Sequence, residues 1–283
     1  MNTLNNIAFS FIFTLALHFS IFGVNPTHPD TTINQSKTRF SLSQFYSNNA
    51  ELDKRVYEIY NQLNDTQRVA QMIITSAGEL GKAPKDVRNL VEKGYVGGVI
   101  FLKGNINGNT SFIKELNTLG KKHPALLFSI DAEPSLYNRR VLGSSLTIGK
   151  TVSLKTEKDI KQTAQTINSE IKGMGFQQNY APVVDLSTGN EAITHRSFGS
   201  DIQDVTQKSL WFIEQTQQDN VVATAKHFPG HGFVSGDTHK QNVYIDGELK
   251  ELPVYPPLIK AGVISIMVGH LTIKNNTKYN TNG

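Results

Sequence analysis

The chain has no cysteine. That excludes disulfide bridges, thiolate metal sites, a cysteine nucleophile and lipid attachment through an N-terminal cysteine. Concentrated positive charge is lacking too. The 28 Lys and Arg outnumber the 24 Asp and Glu only slightly, for a net charge of +4. They are scattered singly, apart from pairs such as Lys121-Lys122 and Arg139-Arg140. With no basic stripe interleaved with aromatics, nucleic acid is not an expected partner. No G-x-G-x-x-G opens a helix and no Walker motif is present, so a nucleotide fold has no positive support. No repeat is visible.

What is present is a folding chain with one apolar run set apart. Hydrophobic residues make up 38% of the 283 and charged residues 18%, which suits a domain with a real core. The run IAFSFIFTLALHFSIFGV, Ile7 to Val24, is long enough to cross a bilayer or to serve as a signal h-region. No Lys or Arg precedes it, no A-x-A site follows, and His18 interrupts it. A polar, proline-containing stretch comes next. Residues 1–24 therefore read as a signal peptide or N-terminal anchor and 25–40 as a linker, with a buried helix as the alternative. Residues 41–283 form the folded body. Export follows from the first two readings, to a periplasmic, membrane-anchored or secreted location.

From about Ser41 onward helices and strands alternate. Helical periodicity covers Ala50–Leu63, Asp65–Ala70, Lys85–Lys93 and Ser111–Lys121. It returns over Thr156–Lys172, where Ile160, Ala164, Ile167 and Ile171 share a face and Gly173 is the expected stop. A capping box at Ser200–Gln203 opens a further helix that runs to about Asp219. Between these lie apolar runs of strand length: QMIITSAG, VGGVIFL, ALLFSID, FQQNYAPVVD, VVATAKHF and GVISIMVGH. Continuous apolar strands separated by helices imply an α/β fold with a covered parallel sheet of about six strands. Polar residues follow the strand ends: Asp131 and Glu133, Asp185, Lys226 and His227, and His270. Active sites gather at that end of a β/α-barrel, and ligands bind there in an open doubly wound sheet too.

The densest polar segment is KHFPGHGFVSGDTHK, Lys226 to Lys240. His227, His231, Asp237 and His239 are suitable zinc ligands. Pro229 and Gly230 keep the H-x-x-x-H spacing from being helical, however, so the two rings need not share a face. In an extended stretch Asp237 and His239 point to one side. A carboxylate there can fix the imidazole tautomer and make the ring a proton donor and acceptor. A plain turn with an Asx-type hydrogen bond is the structural alternative.

KHFPGHG followed by D-[ST]-H resembles the signature of the β-N-acetylglucosaminidases of glycoside hydrolase family 3. RVAQMI with GGVIFLKGN, the DAE at 131–133, NYAPVVDLS at 179–187 and RSFG at 196–199 resemble that family in the right order. Together they cover roughly Ser41 to His270. The resemblance implies a (β/α)8 TIM-type barrel that binds a terminal sugar in its mouth and needs no metal or organic cofactor. It implies that Asp131, Arg139, Arg196, Lys226 and His227 contact the sugar, with Arg140 as the alternative to Arg139. His239 would be the general acid/base and Asp237 its partner. The carbohydrate implied is a glycan with a terminal non-reducing β-linked N-acetylglucosamine, such as a peptidoglycan fragment.

Two departures stand out. Pro134 and Ser135 occupy positions where the family has two glycines, which leaves the shape of that rim loop open. The retaining mechanism needs a carboxylate nucleophile, which the family carries after a later strand, and Asp185 and Asp246 come too early to replace it. The tail from Leu271 is polar and Asn-rich, unlike a strand or amphipathic helix. The expectation is a barrel incomplete at its C-terminal side, with no nucleophile in this chain and a completing polypeptide as a conceivable partner. A non-catalytic sugar-binding remnant and a metal-dependent hydrolase are the competing classes.

Overall fold

A computed structural model describes residues 42–234 and 243–279. Six parallel strands form the main sheet, in the spatial order β1 (Ile74–Ala77), β2 (Gly98–Phe101), β4 (Leu127–Ile130), β6 (Gln178–Asn179), β7 (Val222–Phe228) and β9 (Ser265–Val268). Two short parallel pairs flank it. One joins β3 (Gly104–Asn105) to β5 (Val141–Leu142), and the other joins β8 (Val243–Asp246) to β10 (Leu271–Lys274). Strand order follows chain order, and helices separate most successive sheet strands. This is the α/β half-barrel of a TIM-type fold, as the alternating pattern implies.

The helices cover one face of the sheet. Val99, Phe101, Phe128 and Ile130 meet Val87, Val91, Ile113 and Leu116 in a continuous core. Phe101 packs edge-on against Phe176 at 5.3 Å between centroids and against Phe128 at 6.3 Å. A second core joins Ala223 and Ala225 of β7 to Val205, Phe212 and Leu258. Each such large apolar side chain contributes about 1.5–3 kcal/mol by leaving water. That supplies the force holding the strand ends in place.

Helix boundaries follow local chemistry. The helix Glu157–Met174 starts where the Thr156 side chain accepts the Asp159 N–H, and it buries Ile160, Ala164, Ile167 and Ile171. It runs through Gly173, the expected stop, because the left-handed residue that ends it is Gly175, at φ +105°. The capping box at Ser200 is not used either. Asp201 caps the helix Ile202–Gln218 by accepting the Asp204 N–H. The helix expected from Ser111 begins at Ile106, capped by Asn105.

Three further differences bear on the site. The rim after Asp131 is not a loop but a helix, Pro134–Arg140, started by Pro134 and anchored by buried Leu136 and Tyr137. The strand expected over Phe176–Asp185 pairs continuously only at Gln178–Asn179, with an isolated bridge from Val183 to Lys226. Pro182 has no N–H to give the ladder. The segment after His270, read as unlike a strand, forms β10, whose Leu271 packs on Val234, Val243 and Ile245. Among the described residues no helix is long and apolar enough to cross a membrane. Ile7–Val24 lies outside those residues.

Candidate functional site

The carboxyl ends of β4 and β7 bring two acids and two cations together. Lys226 Nζ donates to Asp131 Oδ1 at 2.6 Å and lies 3.0 Å from Glu133 Oε2. Arg196 grips Glu133 with two parallel bonds, from Nε to Oε1 at 2.5 Å and from Nη2 to Oε2 at 3.0 Å. The Glu133 side chain is 1% exposed and that of Lys226 2%, whereas Asp131 keeps 17%. Glu133 is thus the inner brace, and Asp131 is the carboxylate with a face toward solvent. Burial works to raise the Asp131 carboxyl, but the charges of Lys226, Arg196 and Arg140 overcome it and hold it below the usual range. Burial likewise works to lower Arg196, and Glu133 more than compensates, so that guanidinium stays charged.

Asn179 of β6 fixes the turn between the two acids, since its side chain both accepts the Ala132 N–H and donates to the Ala132 carbonyl. Tyr180 follows it and accepts a hydrogen bond from the Ser129 hydroxyl.

A second carboxylate arranges the histidines. Asp185 is fully buried and accepts three bonds: from His227 N at 3.2 Å, from His227 Nδ1 at 2.6 Å and from His231 N at 2.8 Å. Burial opposes its charge, but these donors prevail and its carboxyl is held low. With Nδ1 committed to Asp185, Nε2 is the nitrogen His227 can offer a ligand. His231 is turned inward, where Asn190 Nδ2 meets its Nδ1 at 2.9 Å. Burial lowers the His231 ring below its ordinary value. Behind this loop sits Glu251, whose Oε1 accepts from Leu186 N at 2.6 Å and from Gly232 N at 3.1 Å. Burial, with the nearby Asp185 charge, raises this carboxyl to about 7.

Four of the five expected sugar-contacting residues, Asp131, Arg196, Lys226 and His227, converge on this rim. The fifth does not. Arg139 is exposed on the outer side of its helix, while Arg140 is half-buried, donates to the Leu102 carbonyl and is the arginine whose charge reaches Asp131. Position 140 lies three and four residues beyond the buried Tyr137 and Leu136, so it is centred on their shared face; 139 is spaced three beyond Leu136 alone and lies at the edge of that face, exposed. His270 is exposed. Asp237 and His239, the expected acid/base pair, lie outside the described residues. Among the described residues no group of three or more His, Asp or Glu side chains is placed to hold a metal ion. Glu133 and Asp185 stand in the sequence as acids at strand ends, but nothing there gives them a role in the site; Glu251 carries no signal at all.

This is a rim of paired acids and cations at the strand ends of a parallel half-barrel. The glycosyl hydrolase family 3 N terminal domain matches residues 65–280, and the chain belongs to that family. A beta-hexosaminidase of Vibrio cholerae serotype O1 is 27% identical over 189 residues, covering 64% of this chain and 57% of the relative. Beta-hexosaminidase LpqI of Mycobacterium bovis is 27% identical over 227 residues, covering 76% and 57%. The chain thus spans just over half the length of these relatives. The solved family 3 beta-N-acetylglucosaminidase of Paenibacillus sp. superposes with a TM-score of 0.67 at 26% identity, over 75% of this chain and 43% of that one. A beta-glucoside phosphorylase, BglX, superposes at 0.71 with 20% identity over 81% and 42%, a likeness of fold alone.

Proposed function

We propose that this chain carries the sugar-binding rim of a β-N-acetylglucosaminidase acting on terminal, non-reducing β-linked N-acetylglucosamine. Peptidoglycan fragments or related oligosaccharides are the substrate class. The observation that carries the reading is the Asp131–Lys226 pair, with Asp131 partly open to solvent and His227 next to Lys226 in the chain. A partly exposed carboxylate and an imidazole Nε2, both held rigidly, are suited to the vicinal hydroxyls of a pyranose. The similarity to beta-hexosaminidases supports a hexosamine as that sugar.

In this reading His239, partnered by Asp237, gives a proton to the leaving sugar and later takes one from water, in a two-step retaining reaction. That route also needs a carboxylate nucleophile. The described rim acids are already engaged: Asp131 and Glu133 by cations, Asp185 by three N–H donors. We therefore expect the 283-residue chain to bind N-acetylglucosamine and to release little or no chromophore from an aryl N-acetylglucosaminide. Robust turnover by the purified chain would sink that expectation. Binding that survives Lys226→Ala would sink the rim itself. Export, by way of Ile7–Val24, fits a substrate of the cell envelope.

A further inference from the structure

We propose that Glu251 is a positioning residue for His227, acting through the backbone on both sides of it. This rests on the sugar-site reading only for its consequence; the geometry is independent. Asp185 and His231 each precede a backbone N–H that ends on the Glu251 carboxyl. Leu186 N reaches Oε1 at 2.6 Å, and Gly232 N lies 3.1 Å from Oε1 and 3.0 Å from Oε2. One carboxyl group thus ties the Asp185 segment to the loop after β7. Asp185 ties the same two segments from the other side, through His227 and His231. The fit is close: a Cβ at Gly232 would lie 1.9 Å from the Leu186 carbonyl oxygen and 2.7 Å from Glu251 Oε1. Only 3% of Glu251 is exposed, so no water competes for these bonds.

The clamp is sensitive to protons. Oε1 can accept both N–H groups while Oε2 carries a proton, whereas ionisation places a second buried charge beside Asp185. The groups facing Glu251 are Asp185, whose charge opposes its ionisation, and the Tyr255 hydroxyl, with His227, His231 and Arg196 grouped around Asp185. Burial and Asp185 bring the Glu251 transition to about 7. Below it the clamp is complete. Above it a second buried negative charge opposes Asp185, the two segments loosen, and His227 loses its fixed position against Asp185.

The test follows the His227 ring nitrogens and the Leu186 and Gly232 amides by NMR in the full chain from pH 5.5 to 8.5. N-acetylglucosamine affinity is measured on the same samples. In the wild type the two amides and the His227 ring should shift together with a midpoint near 7, and affinity should be roughly 3- to 10-fold tighter at the acid end. Glu251→Gln should remove that shared midpoint and hold the affinity at its tight, acid-end value. A midpoint that persists in Glu251→Gln, or His227 signals indifferent to the substitution, overturns the proposal. Should the variant not fold, the wild-type titration decides alone: amides that titrate apart from the His227 ring refute it. A chain that shows the shared transition but binds no sugar refutes the sugar reading and leaves the positioning role supported.

Discussion

His227 Nδ1 lies 2.6 Å from Asp185 Oδ2, and that carboxylate is completely buried. The pair lies beside the Lys226–Asp131 contact, because Lys226 and His227 are adjacent at the end of β7. One strand end therefore feeds both halves of the rim.

Replacing the carboxylate while keeping its shape tests the first half. Asp185→Asn leaves one oxygen for three donors, and its NH2 group opposes the Nδ1 proton. The loss is about 1–3 kcal/mol, the worth of hydrogen bonds to a charged group. A urea unfolding midpoint lowered with an unchanged slope would show it, as would a switched His227 tautomer in ring-nitrogen spectra.

Lys226→Met removes the cation shared by Asp131 and Glu133; Arg196 still holds Glu133, and Asp131 is left without an ion-pair partner. Uncompensated buried charge of this kind costs about 3–5 kcal/mol. Thermal unfolding at neutral pH should move down accordingly. The loss should shrink at acid pH, where a carboxyl can take up a proton instead.

The two neighbouring arginines should separate cleanly. Arg139→Ala removes an exposed side chain and should change stability by no more than about 0.5 kcal/mol. Arg140→Ala removes a bond to the Leu102 carbonyl and a charge that stabilises Asp131, and it should weaken N-acetylglucosamine binding several-fold. Calorimetric titration of both variants with the sugar measures the difference. Equal losses would mean the helix does not fix their faces.

Stability should peak on the acid side of neutrality. Asp131 and Asp185 are held below their ordinary 3.8, so the folded chain binds fewer protons there than the unfolded chain. Their contribution is present above about pH 4 and is lost as pH falls through the depressed values. Glu251 has the opposite sign. Its carboxyl is raised from 4.5 to about 7, so the folded chain holds the extra proton and stability declines as pH rises between those values. The decline is on the order of 3 kcal/mol. Denaturation midpoints from pH 3 to 9 should rise, peak near 4 to 5 and fall, and Glu251→Gln should flatten the fall.

The strands and the chemistry of their ends were written in the sequence. A buried parallel strand must be apolar along its whole length, so VGGVIFL, ALLFSID and VVATAKHF announce themselves. The polar residue that follows each run must sit where the strands emerge, which puts Asp131, Lys226 and His227 at the rim without coordinates; Arg196 follows no strand and rests on the resemblance of RSFG. Tertiary structure decided what depends on meeting across distance or on angular phase. Arg140 rather than Arg139 turns toward Asp131 because Leu136 and Tyr137 choose the buried face of a helix that Pro134 and Ser135 had disguised as a loop. Glu251 reaches the site from 65 residues beyond Leu186. No local pattern marks it, since its role exists only when two loops present their N–H groups to one carboxyl. Leu271–Lys274 became a strand for the same reason: its partner, Val243–Asp246, supplies the hydrogen bonds and apolar contacts that its own polar surroundings do not foretell.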